Sequence, residues 1–64
     1  MDEKDILRTA KLLINQHGDG AATHAAMRAD AMLEQGDMEG QAVWKRILKA
    51  IEALTSSDPG DAIY

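Results

Sequence analysis

Gly36-Asp37-Met38-Glu39-Gly40, followed by Trp44, is the stretch that decides the fold of this 64-residue chain. Glycine adopts the left-handed conformation that ends a helix, and an aspartate side chain accepts hydrogen bonds from the free amides of the next helix. Gly36-Asp37 therefore predicts the end of one helix and the start of another. We expect Gly40 to let another backbone approach, or to offer a backbone surface to a ligand, one turn before Trp44. Trp44 is expected to anchor the core, or to serve as a partly exposed interface residue.

The same Gly-Asp step occurs once earlier, at Gly18-Asp19. Two steps divide the chain into three stretches of helical length, so we predict an all-α, three-helix bundle with helices at about 3–17, 21–35 and 38–54. Asp2 is the expected cap of the first helix. Residues 1–54 form a single predicted domain, and residues 55–64, which are rich in helix breakers, a disordered or loosely attached tail.

Apolar residues recur at helical spacing and define a predicted inward face on each helix. The second helix is lined mainly by alanine, which permits close packing but contributes little apolar area. The predicted core faces are Ile6, Leu7, Ala10, Leu13, Ile14 and His17; Ala22, Ala25, Ala26, Ala29, Met32 and Leu33; and Gly40, Val43, Trp44, Ile47, Ile51 and Leu54.

Composition excludes several classes of protein. The chain has no cysteine, so it has no disulfide and no cysteine-ligated metal, which fits a reducing, cytoplasmic location. Its start lacks the pattern of a secretory signal, and no apolar run is long enough to span a membrane. The formal net charge of −4 opposes non-specific binding to nucleic acid.

Catalytic and metal sites find little support in the sequence. His17 and His24 flank the first Gly-Asp step, and a metal would require them to converge with Asp19, but they lack the spacing that places two ligands on one helical face. His17 has a plain structural role at a helix C-terminus, and His24 is expected to face solvent. We predict no enzyme activity, no cofactor and no metal.

Two surfaces are candidates for binding. Leu12, Met27 and Met38 project outward on the helical wheels, which favours a protein–protein interaction module that forms a homodimer or binds an unknown protein. Lys45, Arg46 and Lys49 form a basic strip on the third helix, so a small nucleic-acid-binding regulator is the alternative. No companion basic element supports that alternative.

Two resemblances involve the Gly-Asp steps. His17-Gly18-Asp19, Arg28, Gly36-Asp37-x-x-Gly40 and Trp44 together resemble a family of short, uncharacterised bacterial all-helical proteins, which implies a compact helical domain and no assigned activity. A weaker likeness, to the second half of a tetratricopeptide repeat, rests on residues 35–37, 49–54 and 58–59. Its spacing is about two residues too long, and no second repeat follows.

Overall fold

The computed structural model describes residues 2–55, and every secondary-structure element in that range is helical. Helix α1 spans Glu3–His17, a single turn of 3-10 helix spans Gly18–Gly20, α2 spans Ala21–Glu34 and α3 spans Met38–Thr55. The all-α class is therefore confirmed for these residues. Thr55, the first residue of the predicted tail, is the last residue of α3, and the rest of that tail lies outside the described residues.

The prediction of a bundle of three separate helices requires correction. Residues 3–34 form one uninterrupted helical run, since the 3-10 turn joins α1 directly to α2, and residues 38–55 form a second run. Helix α3 packs along α2 and also against α1, whereas α1 and α2 touch each other much less. The described fold is thus a two-run helical hairpin whose first run changes direction at the 3-10 turn.

That change of direction begins at Gly18, where α1 ends. Gly18 has φ +58° and ψ −124°, and its amide donates a hydrogen bond to the carbonyl of Ile14. The sequence predicts that the adjacent Asp19 caps the next helix, but it does not. The residue before α2 is Gly20, which has no side chain that could cap the helix. The Ala21 amide donates instead to the Gly18 carbonyl within the 3-10 turn.

The second Gly-Asp step behaves as predicted at both helix ends. Gly36 has φ +77°, its amide donates to the carbonyl of Leu33 at 3.0 Å, and the amide of Asp37 donates to that of Met32 at 2.8 Å. This pair of bonds is a Schellman motif, which satisfies the last carbonyls of α2. The Asp37 carboxylate then accepts a hydrogen bond of 2.8 Å from the amide of Gly40 and caps α3.

The space beside Gly40 is filled by side chains. The prediction that another backbone approaches this glycine is therefore wrong. A Cβ at this position would lie 2.7 Å from the Asp37 carboxylate and 2.8 Å from the sulfur of Met32. The side chain that comes closest to Gly40 is therefore Asp37, the residue that caps α3.

The core lies where α3 crosses the first helical run. Ile47 and Ile51 are its largest fully buried side chains, whereas Trp44 is only half-buried and packs against the outside of the core. Trp44 therefore borders the core and does not fill its centre, and its alternative role as a partly exposed interface residue stays a prediction. The buried residues are Ile6, Ala10, Leu13, Ala21, Ala25, Ala29, Ile47 and Ile51.

Four residues predicted to face the core are exposed instead. Leu7, Leu33 and Leu54 retain 41%, 47% and 37% of their surface in solvent, and His17 is also exposed. A helical wheel assigns a residue to an inward half, but a neighbouring helix covers only part of that half. Leu7 lies at the margin of the covered part of α1, where it borders a groove.

Candidate interaction surface

An open groove runs between α1 and α3, and exposed Leu7 lies on its edge. The groove has a volume of about 420 Å³ and combines an apolar floor with charged walls; its lining residues are Glu3, Ile6, Leu7, Arg46, Lys49 and Ala50. A second concavity, lined by Lys4, Leu7, Arg8 and Lys11, adjoins it through the shared Leu7. We refer to the residues of both concavities together as the Leu7 groove.

The Leu7 groove concentrates positive charge in an acidic chain. Lys4, Arg8 and Lys11 follow one another at helical spacing on α1 and line one concavity, and Arg46 and Lys49 of α3 line the other, on the far side of the shared Leu7. These are five of the seven lysine and arginine residues of a chain whose formal net charge is −4. All five are exposed, so their charges are available to a partner.

The predicted basic strip is divided by this arrangement. Arg46 and Lys49 line the groove, whereas Lys45 is exposed outside its lining. No companion basic element is predicted from the sequence, and the structure supplies one in α1. The signal was present in the sequence as the spacing of Lys4, Arg8 and Lys11, but only the packing of α1 beside α3 joins the two sets of cations.

The outer face of α2 has the opposite character. Met27, Asp30 and Glu34 lie on one side of the helix, because their spacing of three and four residues returns to the same side at each turn. All three are exposed, and Met27 retains 64% of its surface in solvent. This acidic α2 face lies opposite the buried alanines that pack on α3.

The three predicted interface residues are exposed, as expected, but Met27 and Met38 do not lie on one surface. Leu12, Met27 and Met38 are 52%, 64% and 62% exposed. The buried sides of α2 and α3 face each other, and each methionine lies on the opposite side of its own helix. Met27 and Met38 therefore point away from each other, and one flat contact cannot cover both.

A cluster of rings forms where the first helical run changes direction. The rings of His17 and His24 stack with centroids 4.6 Å apart, and His24 meets the edge of Trp44 at 6.1 Å. The guanidinium carbon of Arg28 lies 5.6 Å from the centroid of the Trp44 ring, within the range of a cation–π contact. His24 is half-buried by these contacts, which corrects the prediction of a solvent-facing side chain.

The stacked geometry does not resemble a shared metal site. The ring planes of His17 and His24 are nearly parallel, at 16°, whereas a metal ion lies near the plane of each imidazole that binds it, about 2 Å from the nitrogen. Among residues 2–55, no group of three histidine, cysteine or acidic side chains is placed to hold a metal ion. The two histidines thus meet as packing partners.

Every fully buried side chain in the described range is apolar. No charged or polar residue of that range is fully buried. Within the same range, none of the helices combines the length and the apolar character needed to cross a bilayer.

No protein-family model matches this chain, and neither the curated proteins nor the solved structures include a significant match. The resemblance to short bacterial helical proteins therefore stays a prediction.

Proposed function

We propose that this protein is a small, non-catalytic protein–protein interaction module that self-associates through the Leu7 groove. The observation that supports it is the exposure of Leu7, 41%, among five cations of an acidic chain. An apolar residue surrounded by charge fits the usual composition of a protein contact, in which an apolar centre excludes water and a polar rim selects the partner.

The size of the chain also supports self-association. A domain of about 60 residues buries a smaller share of its surface than a larger one does. Here much of the core consists of alanine, and among the larger apolar side chains only Ile6, Leu13, Ile47 and Ile51 of the described residues are buried. Burial of Leu7 against a second chain would add apolar area that the isolated chain lacks.

Sedimentation equilibrium from micromolar to millimolar concentration tests this proposal. We expect a reversible increase in mass that Leu7→Asp abolishes, because an aspartate there would be desolvated in the contact. Leu12→Asp is the matched control, since Leu12 is similarly exposed and lies outside the groove. A wild-type chain that stays monomeric throughout would refute self-association, and equal effects of the two variants would refute the assignment to the groove.

Nucleic-acid binding is the second candidate function, and the number of exposed cations on α1 and α3 favours it. Lys45 separates the two functions, because it belongs to the basic strip but not to the groove lining. A nucleic-acid binder should lose affinity on Lys45→Glu and show a steep dependence on salt. Fluorescence anisotropy with labelled single-stranded and double-stranded DNA and RNA, started at low salt, measures the affinity and its salt dependence. The absence of binding at low salt would exclude this function.

A bacterial source and a cytoplasmic location belong to the same proposal. The resemblance of the Gly-Asp pattern supports the first, and the cysteine-free composition supports the second. Neither affects the choice of contact surface.

A further inference from the structure

We propose that the occupant of the Leu7 groove is the acidic α2 face, Met27 with Asp30 and Glu34, of a second copy of this chain. This inference rests on the proposed self-association and specifies the two surfaces that meet. It makes the contact one between unlike surfaces, basic on one copy and acidic on the other.

The two surfaces match in charge. The groove presents Lys4, Arg8 and Lys11 along α1, with Glu3 as the one acidic residue of its lining. The α2 face presents Asp30 and Glu34. Two copies that each carry a net charge of −4 repel one another overall, so contact requires a local region of opposite sign. The groove contains most of the positive charge of the chain and is therefore the surface toward which carboxylates of a second copy are steered.

The surfaces also match in apolar content and in spacing. Each presents one exposed apolar side chain, Leu7 on the groove and Met27 on α2. Methionine is flexible and adapts to irregular apolar surfaces, which suits it to the groove floor. Lys4 and Lys11 are separated by two helical turns, as are Met27 and Glu34, so one helix face can lie along the other with several contacts at once.

Reversal of charge on each surface tests the match. Lys4→Glu with Lys11→Glu makes the groove acidic, and Asp30→Lys with Glu34→Lys makes the α2 face basic. Each double variant alone should weaken self-association at least about tenfold, because like charges then face each other. An equimolar mixture of the two should recover association, since the intact groove of one variant meets the intact α2 face of the other.

The variants are suited to the test because they should not disturb folding. All four positions are exposed, Lys4→Glu adds an acidic residue to the first turn of α1, and Glu34→Lys adds a basic residue to the last turn of α2. Both of these terminal changes favour the helix dipole. Far-UV circular dichroism verifies the fold, and Lys45→Glu serves as a charge change outside both surfaces.

The results separate this inference from the broader proposal. Recovery of mass in the mixture, together with a loss of association as salt is raised, supports the pairing of the groove with the α2 face. If the wild type associates but both double variants associate equally well, the self-association proposal stands and this inference is wrong. If the mixture of two impaired variants stays monomeric, the surfaces do not meet each other. A monomeric wild type refutes both proposals.

Discussion

The Asp37 carboxylate occupies the space where a side chain on Gly40 would begin. One of its oxygens accepts a hydrogen bond of 2.8 Å from the Gly40 amide, and the other would lie 2.7 Å from a Cβ on that residue. The capping residue and the glycine therefore depend on each other. This relationship gives the Gly-Asp-x-x-Gly pattern a local structural meaning, and it leads to two predictions.

The two Gly-Asp steps should differ in their contribution to stability. Asp37→Ala should lower the free energy of unfolding by about 1 kcal/mol, because it removes the α3 cap. Asp19→Ala should lower it by less than about 0.5 kcal/mol, since Asp19 does not cap α2. Urea denaturation followed by circular dichroism measures both, and equal losses would contradict the difference between the steps.

Gly40 and Asp37 should be energetically coupled. Alanine is favoured over glycine in a helix by about 1 kcal/mol, yet Gly40→Ala should not raise the free energy of unfolding, because the new Cβ displaces the cap. In the Asp37→Ala background the same substitution should raise it by about 1 kcal/mol, since only the flexible end of Met32 must move. A double-mutant cycle measures the coupling, and additive effects would disprove it.

Gly18 should be more sensitive to substitution than its neighbour Gly20. Gly18→Ala should lower the free energy of unfolding by about 1 to 2 kcal/mol, because its φ of +58° strains any residue that has a Cβ. Gly20 has φ −85°, and no heavy atom other than nearby backbone of its own helix lies within 4 Å of the position that a Cβ would take. Gly20→Ala should therefore stay within about 0.5 kcal/mol of the wild type. Thermal and urea denaturation of the two variants provide the comparison, and an undiminished stability of Gly18→Ala would contradict the strained turn.

Substitutions of buried and of exposed apolar residues should differ clearly in their effect on the free energy of unfolding. Ile47→Ala should lower the free energy of unfolding by about 2 to 5 kcal/mol, which is enough to unfold much of so small a domain. Met27→Ala should change the stability of the monomer by less than about 0.5 kcal/mol. The reason is that Met27 is 64% exposed whereas Ile47 is 2% exposed. Urea denaturation at low protein concentration avoids any effect of association. A loss of less than about 1 kcal/mol for Ile47→Ala would contradict the central position of Ile47 in the core.

The sequence by itself determined the helical class and, to within one residue, the ends of the helices. These features depend on local chemistry: the Asp2 and Asp37 caps, glycines at positive φ, and apolar residues at helical spacing. The exposure of Leu12, Met27 and Met38 was equally predictable, since each lies away from the apolar stripe of its helix.

Only the tertiary structure decided how the helices combine. It joined α1 to α2 through a 3-10 turn, which left Asp19 without a capping role and brought His17 onto His24. It also placed the cations of α1 beside those of α3 around Leu7. A helical wheel records the direction of each side chain about its own axis. Which parts of two helices meet depends on their relative position, and that is set by the packing of α3 against both halves of the first helical run.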